Sequence, residues 1–149
     1  MRAKPRFLLK KNLLSIAKSA VGTKMFRNLY FSIGGKKIDV LRDGDLSCAF
    51  FVSFLLKMFG LVGETHTTVS GLEKDMARHG WRKINKPRDG AIIVYAPKKF
   101  KSGEIHKHVG IYLGKEFAVS NSSKKRSPKA DKWNFRPVEK ILWHKKLES

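Results

Sequence analysis

The sequence predicts an α+β fold in which helices come first and an antiparallel meander of strands follows. Three observations indicate this class: one apolar helical run in the first half, short strand-like runs in the second half, and hairpin turns between those runs. The 149 residues, 42% hydrophobic and 11% aromatic, suffice for one domain with its own core. We divide the chain into a basic helical segment, residues 1–38, and a main domain, residues 39–149, which form a single domain overall.

The basic segment, residues 1–38, contains ten Lys and Arg and no acidic residue. Its apolar residues recur at helical spacing, at Leu13, Leu14, Ile16, Ala17, Ala20 and Val21. Lysines interrupt this pattern, so it does not have the form of a secretory signal, and it is too short and too charged to span a bilayer. Three interpretations stay open: a helix packed on the domain, which we favour, a membrane-surface helix, or a targeting segment.

The central helix is predicted over residues 47–59, after a short strand at residues 37–41 and a turn at Asp43-Gly44. Ser47 is a plausible N-cap residue and Gly60 a plausible C-terminal stop. Apolar residues occupy nearly every side of this helix, which is typical of a helix in the interior of a domain.

A second helix is predicted over residues 71–79, followed by a turn at residues 86–90. Three strands are expected next, over residues 91–95, 107–113 and 117–121. Two loops are expected, over residues 97–103 and 122–132. A last strand lies within residues 135–143, where Arg136-Pro137 is expected to limit how central that strand can be.

Cys48, the only cysteine, falls in the first turn of the central helix. Backbone N–H groups there have no intrahelical partner, and the helix dipole places partial positive charge at that end, so both favour a thiolate. The alternative is a buried cysteine that only fills the core. As a nucleophile, Cys48 would need a neighbouring base.

His108 is the candidate base. It opens a strand in which it shares one face with Gly110, and the glycine leaves space beside the imidazole for a substrate or for the Cys48 helix. His106 shares that face and is either an alternative base or a rim residue. We count His106 and Gly110 among the candidate substrate-binding residues.

Asn121 is the candidate third catalytic residue, because its side-chain oxygen could accept from the imidazole N–H and hold the ring tautomer. The alternative is that it merely begins a loop. An oxyanion hole would use the backbone N–H of Cys48, and the Ser47 hydroxyl would either join it or cap the helix, which we favour. Asp43 and Asp45 could position a cationic substrate group, although turn chemistry also explains both.

No metal or cofactor is expected. Cys48, His66, His106 and His108 are suitable ligand types, but neither a C-x-x-C nor an H-E-x-x-H spacing occurs. A single cysteine requires no oxidising compartment, and the compartment stays open between the cytoplasm and an association with membrane or wall.

Three segments together resemble the NlpC-type cell-wall cysteine peptidases, a papain-like superfamily. Residues 47–53, Ser-Cys-Ala-Phe-Phe-Val-Ser, are similar to the family's Asp-Cys-Ser-Gly-Phe-Val-x, with Ser47 in place of Asp. Residues 86–95 are similar to its Pro-Gly-Asp-Leu-Val-Phe-Phe segment. Residues 108–114, His-Val-Gly-Ile-Tyr-Leu-Gly, closely match its His-Val-Gly-Ile-Tyr-Ile-Gly. Order and spacing agree over roughly residues 40–122.

The resemblance implies a papain-like NlpC-type fold, with Cys48 as nucleophile, His108 as base and a third polar residue on the following strand. It also implies a thiol hydrolase that cleaves amide bonds, usually in peptidoglycan stem peptides. Cysteine precedes histidine here, which fits the peptidases rather than their permuted acyltransferase relatives.

The net charge of +20 supports a second hypothesis of a different class. Such a surface accumulates polyanions, whether nucleic acid, anionic lipid or acidic wall polymer. The chain would then be a non-catalytic basic binding module. A third hypothesis is an enzyme held at a membrane surface by its N-terminal helix.

Overall fold

The computed structural model describes residues 2–148. Within them lie three α-helices and eight strands, and the strands form two sheets. The helices are α1 (Leu9–Ser19), α2 (Cys48–Met58) and α3 (Val69–Arg78). The strands are β1 (Tyr30–Ile33), β2 (Lys36–Asp39), β3 (Arg82–Ile84), β4 (Ile92–Lys99), β5 (Ile105–Gly114), β6 (Phe117–Ser122), β7 (Ser127–Lys132) and β8 (Val138–Trp143). A short 3₁₀-helix, Lys145–Glu148, follows β8.

The larger sheet has six antiparallel strands in the order β3-β8-β4-β5-β6-β7. Strands β4 to β7 form a meander, and β8 returns to lie between β3 and β4. Strands β1 and β2 form a separate two-stranded hairpin. This arrangement confirms the predicted α+β class, with N-terminal helices packed on an antiparallel sheet.

Helix α2 lies at the centre, in contact with β5, β6, α1 and α3. Seven of its eleven residues are buried, as its all-round apolar sequence predicts. Gly60 ends it with φ +69°, and its N–H donates to the carbonyl of Lys57. Ser47 occupies the N-cap position, but its hydroxyl makes no capping hydrogen bond, contrary to the interpretation that we favoured.

Helix α1 packs against α2 and the C-terminal 3₁₀-helix. Leu13 and Ala17, on its inner side, are completely buried in the core that the sheet residues share. The apolar stripe of this basic segment therefore faces protein, as in the first of the three interpretations. Within residues 2–148, no helix combines the length and the apolar character needed to cross a bilayer.

Parts of the two expected loops are strands. Residues 127–132 form β7, the edge strand of the sheet, where Pro128 is tolerated because one side of the strand has no partner to receive an N–H. Strand β4 continues to Lys99 past an irregularity in its pairing between Tyr95 and Lys98. Both segments are rich in charged residues, a composition typical of loops, so the sequence did not predict these strands.

The proline of Arg136-Pro137 does not restrict the last strand. Strand β8 begins one residue later, at Val138, and pairs on both sides. Helix α3 begins at Val69, two residues before the predicted start, because the Thr68 hydroxyl accepts from the N–H of Gly71 at 3.1 Å.

Candidate active site

One groove, with a volume of about 780 Å³, brings together most of the predicted site residues. The start of α2, strand β5, the end of β6 and the segment before β8 contribute to its walls. Cys48, His108 and Asn121 all line it. We call it the Cys48 groove.

Cys48 is the first residue of α2 and is partly exposed. Its thiol points to the carbonyl oxygen of Lys107, with 4.0 Å between Sγ and O. The backbone N–H groups of Val109 and Ala49 also point towards the sulfur. The thiol therefore lies against the backbone of β5, between the residues that flank His108.

The turn before α2 is conformationally restricted. Arg42, Asp43 and Gly44 all have positive φ, at 50°, 52° and 90°. The Arg126 guanidinium donates to the carbonyls of Arg42 and Asp43, and the Asn121 amide donates to the carbonyl of Gly44 at 2.8 Å. A Cβ on Gly44 would lie 2.8 Å from the Arg126 Cβ, so only glycine fits there. These contacts hold the segment that leads to Cys48.

The imidazole of His108 packs between two aromatic rings. Its centroid lies 5.4 Å from that of Tyr95, its register partner on β4, and 6.1 Å from that of Phe135. The Tyr95 hydroxyl donates to the carbonyl of Trp133 at 2.7 Å, which holds that ring. Within residues 2–148, no hydrogen bond joins the His108 imidazole to Cys48 or to Asn121. Ring packing therefore orients it.

Burial favours the uncharged forms of both Cys48 and His108. Burial raises the pKa of the Cys48 thiol to about 11, although the N–H groups of Val109 and Ala49 and the Arg136 charge favour the thiolate. Burial, together with the nearby Arg136 charge, lowers the pKa of His108 to about 3. The expectation of a thiolate at the helix N-terminus is wrong for this site, because desolvation of the sulfur outweighs the backbone dipoles.

Asn121 is buried, with 2% of its surface exposed. Its Nδ2 donates to the carbonyl of Gly44, and its Oδ1 is buried without a hydrogen-bond partner among residues 2–148. The amide thus connects β6 to the turn before Cys48 rather than to the imidazole. Its role as the orienting residue stays a prediction.

Gly110 does not provide open space beside His108. A Cβ at this position would lie 2.9 Å from the carbonyl oxygen of Val119 and 3.0 Å from the Cβ of Ser120. The neighbouring strand β6 occupies that space, so the reason for counting Gly110 among the substrate-binding residues does not hold. The glycine instead allows β5 and β6 to approach closely.

The remaining candidates lie around the site. His106 lies within β5 at the groove wall, packed on Phe100 and 3.4 Å from a carboxylate oxygen of Glu104. Asp45 is exposed and lines the groove. A carboxylate oxygen of Asp43 lies 3.7 Å from the Arg126 guanidinium. Ser47 is fully buried, and no hydrogen-bond partner for its hydroxyl occurs in the described part of the chain.

Arg136 is the groove residue that sequence reasoning missed. Its guanidinium lies 6.0 Å from the centroid of the Tyr95 ring and donates to the carbonyl of Ala96 at 3.1 Å. The sequence contains thirty-two Lys and Arg, so nothing local distinguishes this one. What distinguishes Arg136 is the tertiary structure, which places the segment before β8 beside the groove.

The described residues 2–148 contain no group of three or more His, Cys, Asp or Glu side chains arranged to hold a metal ion. His66, one of the ligand types considered, pairs with Asp75 instead, with 2.6 Å between Nε2 and Oδ2.

Two solved structures resemble nearly the whole chain. NlpC2 from Trichomonas vaginalis is 15% identical with a TM-score of 0.54, over 93% of this chain and 48% of that one. NlpC1 from the same organism has the same identity and TM-score, over 96% of this chain and 46% of that one. The fold is NlpC-like. No protein-family model and no curated protein matches the sequence.

At this identity the likeness concerns the fold alone. The chain spans about half the length of the two NlpC proteins that it resembles. The NlpC-type fold expected from the three sequence segments is therefore confirmed as a distant structural relationship. Activity and substrate are taken up next as proposals.

Proposed function

We propose that the protein is a thiol hydrolase that cleaves an amide bond, with Cys48 as the nucleophile and His108 as the base. One observation carries the proposal: a partly exposed thiol in the first turn of α2 lies against the β5 backbone beside His108, in a groove of an NlpC-like fold. A core-filling cysteine would not line an open groove.

The neutral state of both groups dictates the order of events. His108 takes the thiol proton as Sγ attacks the amide carbonyl carbon, because neither group is charged beforehand. The C–N bond then breaks, and His108 returns the proton to the leaving amine. Water activated by His108 hydrolyses the thioester.

Two further groups complete the proposed site. The backbone N–H of Cys48, at the start of the helix, is available to the developing oxyanion. Asn121 is the proposed third residue, since its Oδ1 lacks a partner in the present geometry.

The proposed substrate is a peptide amide, and the resemblance of the motifs favours a peptidoglycan stem peptide or a related peptide. The groove, with its volume of about 780 Å³, is lined by residues of β5, β6 and the segments around them, and this size suits a short peptide. Incubation with purified stem peptides, followed by mass spectrometry of the new termini, tests this substrate class.

Acyl transfer itself is tested with p-nitrophenyl acetate, which needs no knowledge of the natural substrate. Cys48 is expected to form an acetyl-enzyme with release of p-nitrophenolate. The Cys48→Ala variant supplies the background from lysine acetylation. His108→Ala should lower the remaining rate by about a hundredfold, the usual contribution of a general base.

The matched control is His106→Ala, which removes a second histidine from the same strand and the same groove. It should leave the rate within about twofold of wild type. Equal losses in the two histidine variants, or none in His108→Ala, would contradict the proposal.

The net charge of +20 supports a second candidate function, a basic module that binds a polyanion such as nucleic acid, anionic lipid or wall polymer. Binding to heparin, an acidic polymer probe, should then weaken steeply with salt. If Cys48→Ser leaves this binding unchanged and p-nitrophenyl acetate reveals no activity, the binding module is the better description.

A further inference from the structure

Arg136 carries a charge into the Cys48 groove from the segment that precedes β8. It is half-buried, with its guanidinium over the ring of Tyr95, which in turn packs on His108. One N–H donates to the Ala96 carbonyl at 3.1 Å. A guanidinium has five such donors, and within residues 2–148 the Ala96 carbonyl is the hydrogen-bond acceptor found for Arg136, so donors remain for a ligand in the groove.

No carboxylate of residues 2–148 forms an ion pair with Arg136. Two other cations of the same groove are neutralised: Lys107 pairs with Glu73 and Glu139, and Lys129 pairs with Asp131. The groove lysines that form no ion pair within residues 2–148, Lys98 and Lys124, are exposed to solvent, unlike the half-buried Arg136. A half-buried guanidinium without a counter-ion is costly unless a ligand supplies one. Arg136 lines the groove together with Cys48 and His108, and the Tyr95 ring under its guanidinium packs on the His108 imidazole.

We propose that Arg136 is an anion subsite beside Cys48 that binds a carboxylate of the substrate. This inference rests on the proposed function and narrows it: the substrate is an acidic peptide whose carboxylate lies next to the scissile amide. The planar fork of the guanidinium matches a carboxylate with two parallel hydrogen bonds. The carboxylates of Asp45 and Asp131 line the same groove and repel anions. This repulsion is larger for a doubly charged phosphate than for a singly charged carboxylate.

The test compares two alkylating reagents of nearly equal size, the anionic iodoacetate and the neutral iodoacetamide. The measured quantity is the ratio of their second-order rate constants at Cys48. Both reagents react with the thiolate, so a change in thiol pKa affects both rates equally and leaves the ratio unchanged. The ratio therefore reports anion binding and not thiolate stabilisation.

Arg136→Gln should lower this ratio about three- to tenfold, as expected for loss of one charge near the sulfur. The control Lys124→Gln removes the same charge from the groove wall and should change the ratio less than about twofold. If the Arg136→Gln variant does not fold, Arg136→Lys replaces it in the test. Lysine keeps the positive charge but not the planar fork of donors, so the ratio should fall about twofold.

An unchanged ratio in the folded Arg136 variants, or an equal fall in Lys124→Gln, overturns the subsite. A different result would contradict the hydrolase proposal. In that case His108→Ala leaves the p-nitrophenyl acetate rate intact, while the alkylation ratio still depends on Arg136.

Discussion

At the scale of single residues, the site consists of two uncharged groups and one free charge. Desolvation keeps Cys48 protonated and His108 neutral, and Arg136 lies close enough to influence both. The resting site is therefore not an ion pair. The guanidinium favours the thiolate and disfavours the imidazolium, so the charge that it most readily accommodates is negative.

The pH dependence of Cys48 alkylation by iodoacetamide should show this. Because burial raises the pKa of the thiol to about 11, the rate should rise with a midpoint well above the value of about 8.5 for free cysteine. Arg136→Gln should move the midpoint higher still, since the guanidinium lowers this pKa. A midpoint below that of free cysteine would contradict the prediction.

Gly110→Ala should destabilise the protein because the new Cβ meets the Val119 carbonyl and the Ser120 Cβ. Overpacking of this kind costs about 1–3 kcal/mol in the free energy of unfolding, measured by urea denaturation. Ser120→Gly removes one of the two contacts, so the double variant should regain part of the loss. Strict additivity of the two substitutions would argue against direct contact.

At the scale of secondary structure elements, the orientation of α2 depends on the turn before it. Asn121 on β6 and Arg126 before β7 donate to three successive carbonyls of that turn. Strands distant in sequence thus hold the start of the helix that carries Cys48.

Asn121→Ala should cost about 1–3 kcal/mol in the free energy of unfolding, because it leaves the Gly44 carbonyl without its buried donor. It should also slow p-nitrophenyl acetate turnover, since the turn positions Cys48. The matched control is Asn12→Ala, whose exposed amide donates to the Leu8 carbonyl at 2.9 Å. The free energy of unfolding of Asn12→Ala should lie within about 0.5 kcal/mol of wild type. Equal losses in the two variants would refute a special role for Asn121.

Asp75 on α3 organises the loop that follows α2. Although burial acts to raise the pKa of this carboxyl, hydrogen bonds from the Gly63 N–H, the His66 ring and the Glu64 N–H lower it to about 2. A carboxyl group whose pKa is lowered by folding stabilises the folded state at pH values above its ordinary pKa. That contribution is lost as pH falls towards about 2.

Asp75→Asn should therefore lower the free energy of unfolding at neutral pH by about 2 kcal/mol or more. The difference from wild type should shrink as pH falls below about 4, measured by urea denaturation at several pH values. A difference that is constant with pH would show that the charge of Asp75 contributes nothing.

At the scale of the whole molecule, the net charge of +20 is the dominant property. Helix α1, the hairpin and the sheet carry it together on a folded chain of 149 residues. Self-repulsion of this size opposes the compact state and attracts anionic polymers.

Salt should stabilise the protein for that reason. Raising sodium chloride from about 0.05 to 0.5 M shortens the range of charge repulsion, so the melting temperature should rise by a few degrees. Scanning calorimetry measures it, with uncharged sucrose at equal osmolality as the control for preferential exclusion. A falling melting temperature would indicate that local ion pairs, such as those of Lys107, outweigh the net repulsion.

The sequence by itself determined the α+β class, the central helix with Cys48 at its start, and the strand that carries His108. Hydrophobic periodicity and glycine positions are local signals, and the buried elements express them strongly. It did not reveal β7 or the extension of β4, because an edge strand and a strand end rich in lysine lack that signal.

Only the tertiary structure decided the environment of these residues. It placed β6 in the space beside Gly110, turned the Asn121 amide to Gly44, and brought Arg136 to the groove. It also reversed the expected ionisation of Cys48, because a helix N-terminus is a local feature whereas desolvation depends on every element packed around the sulfur.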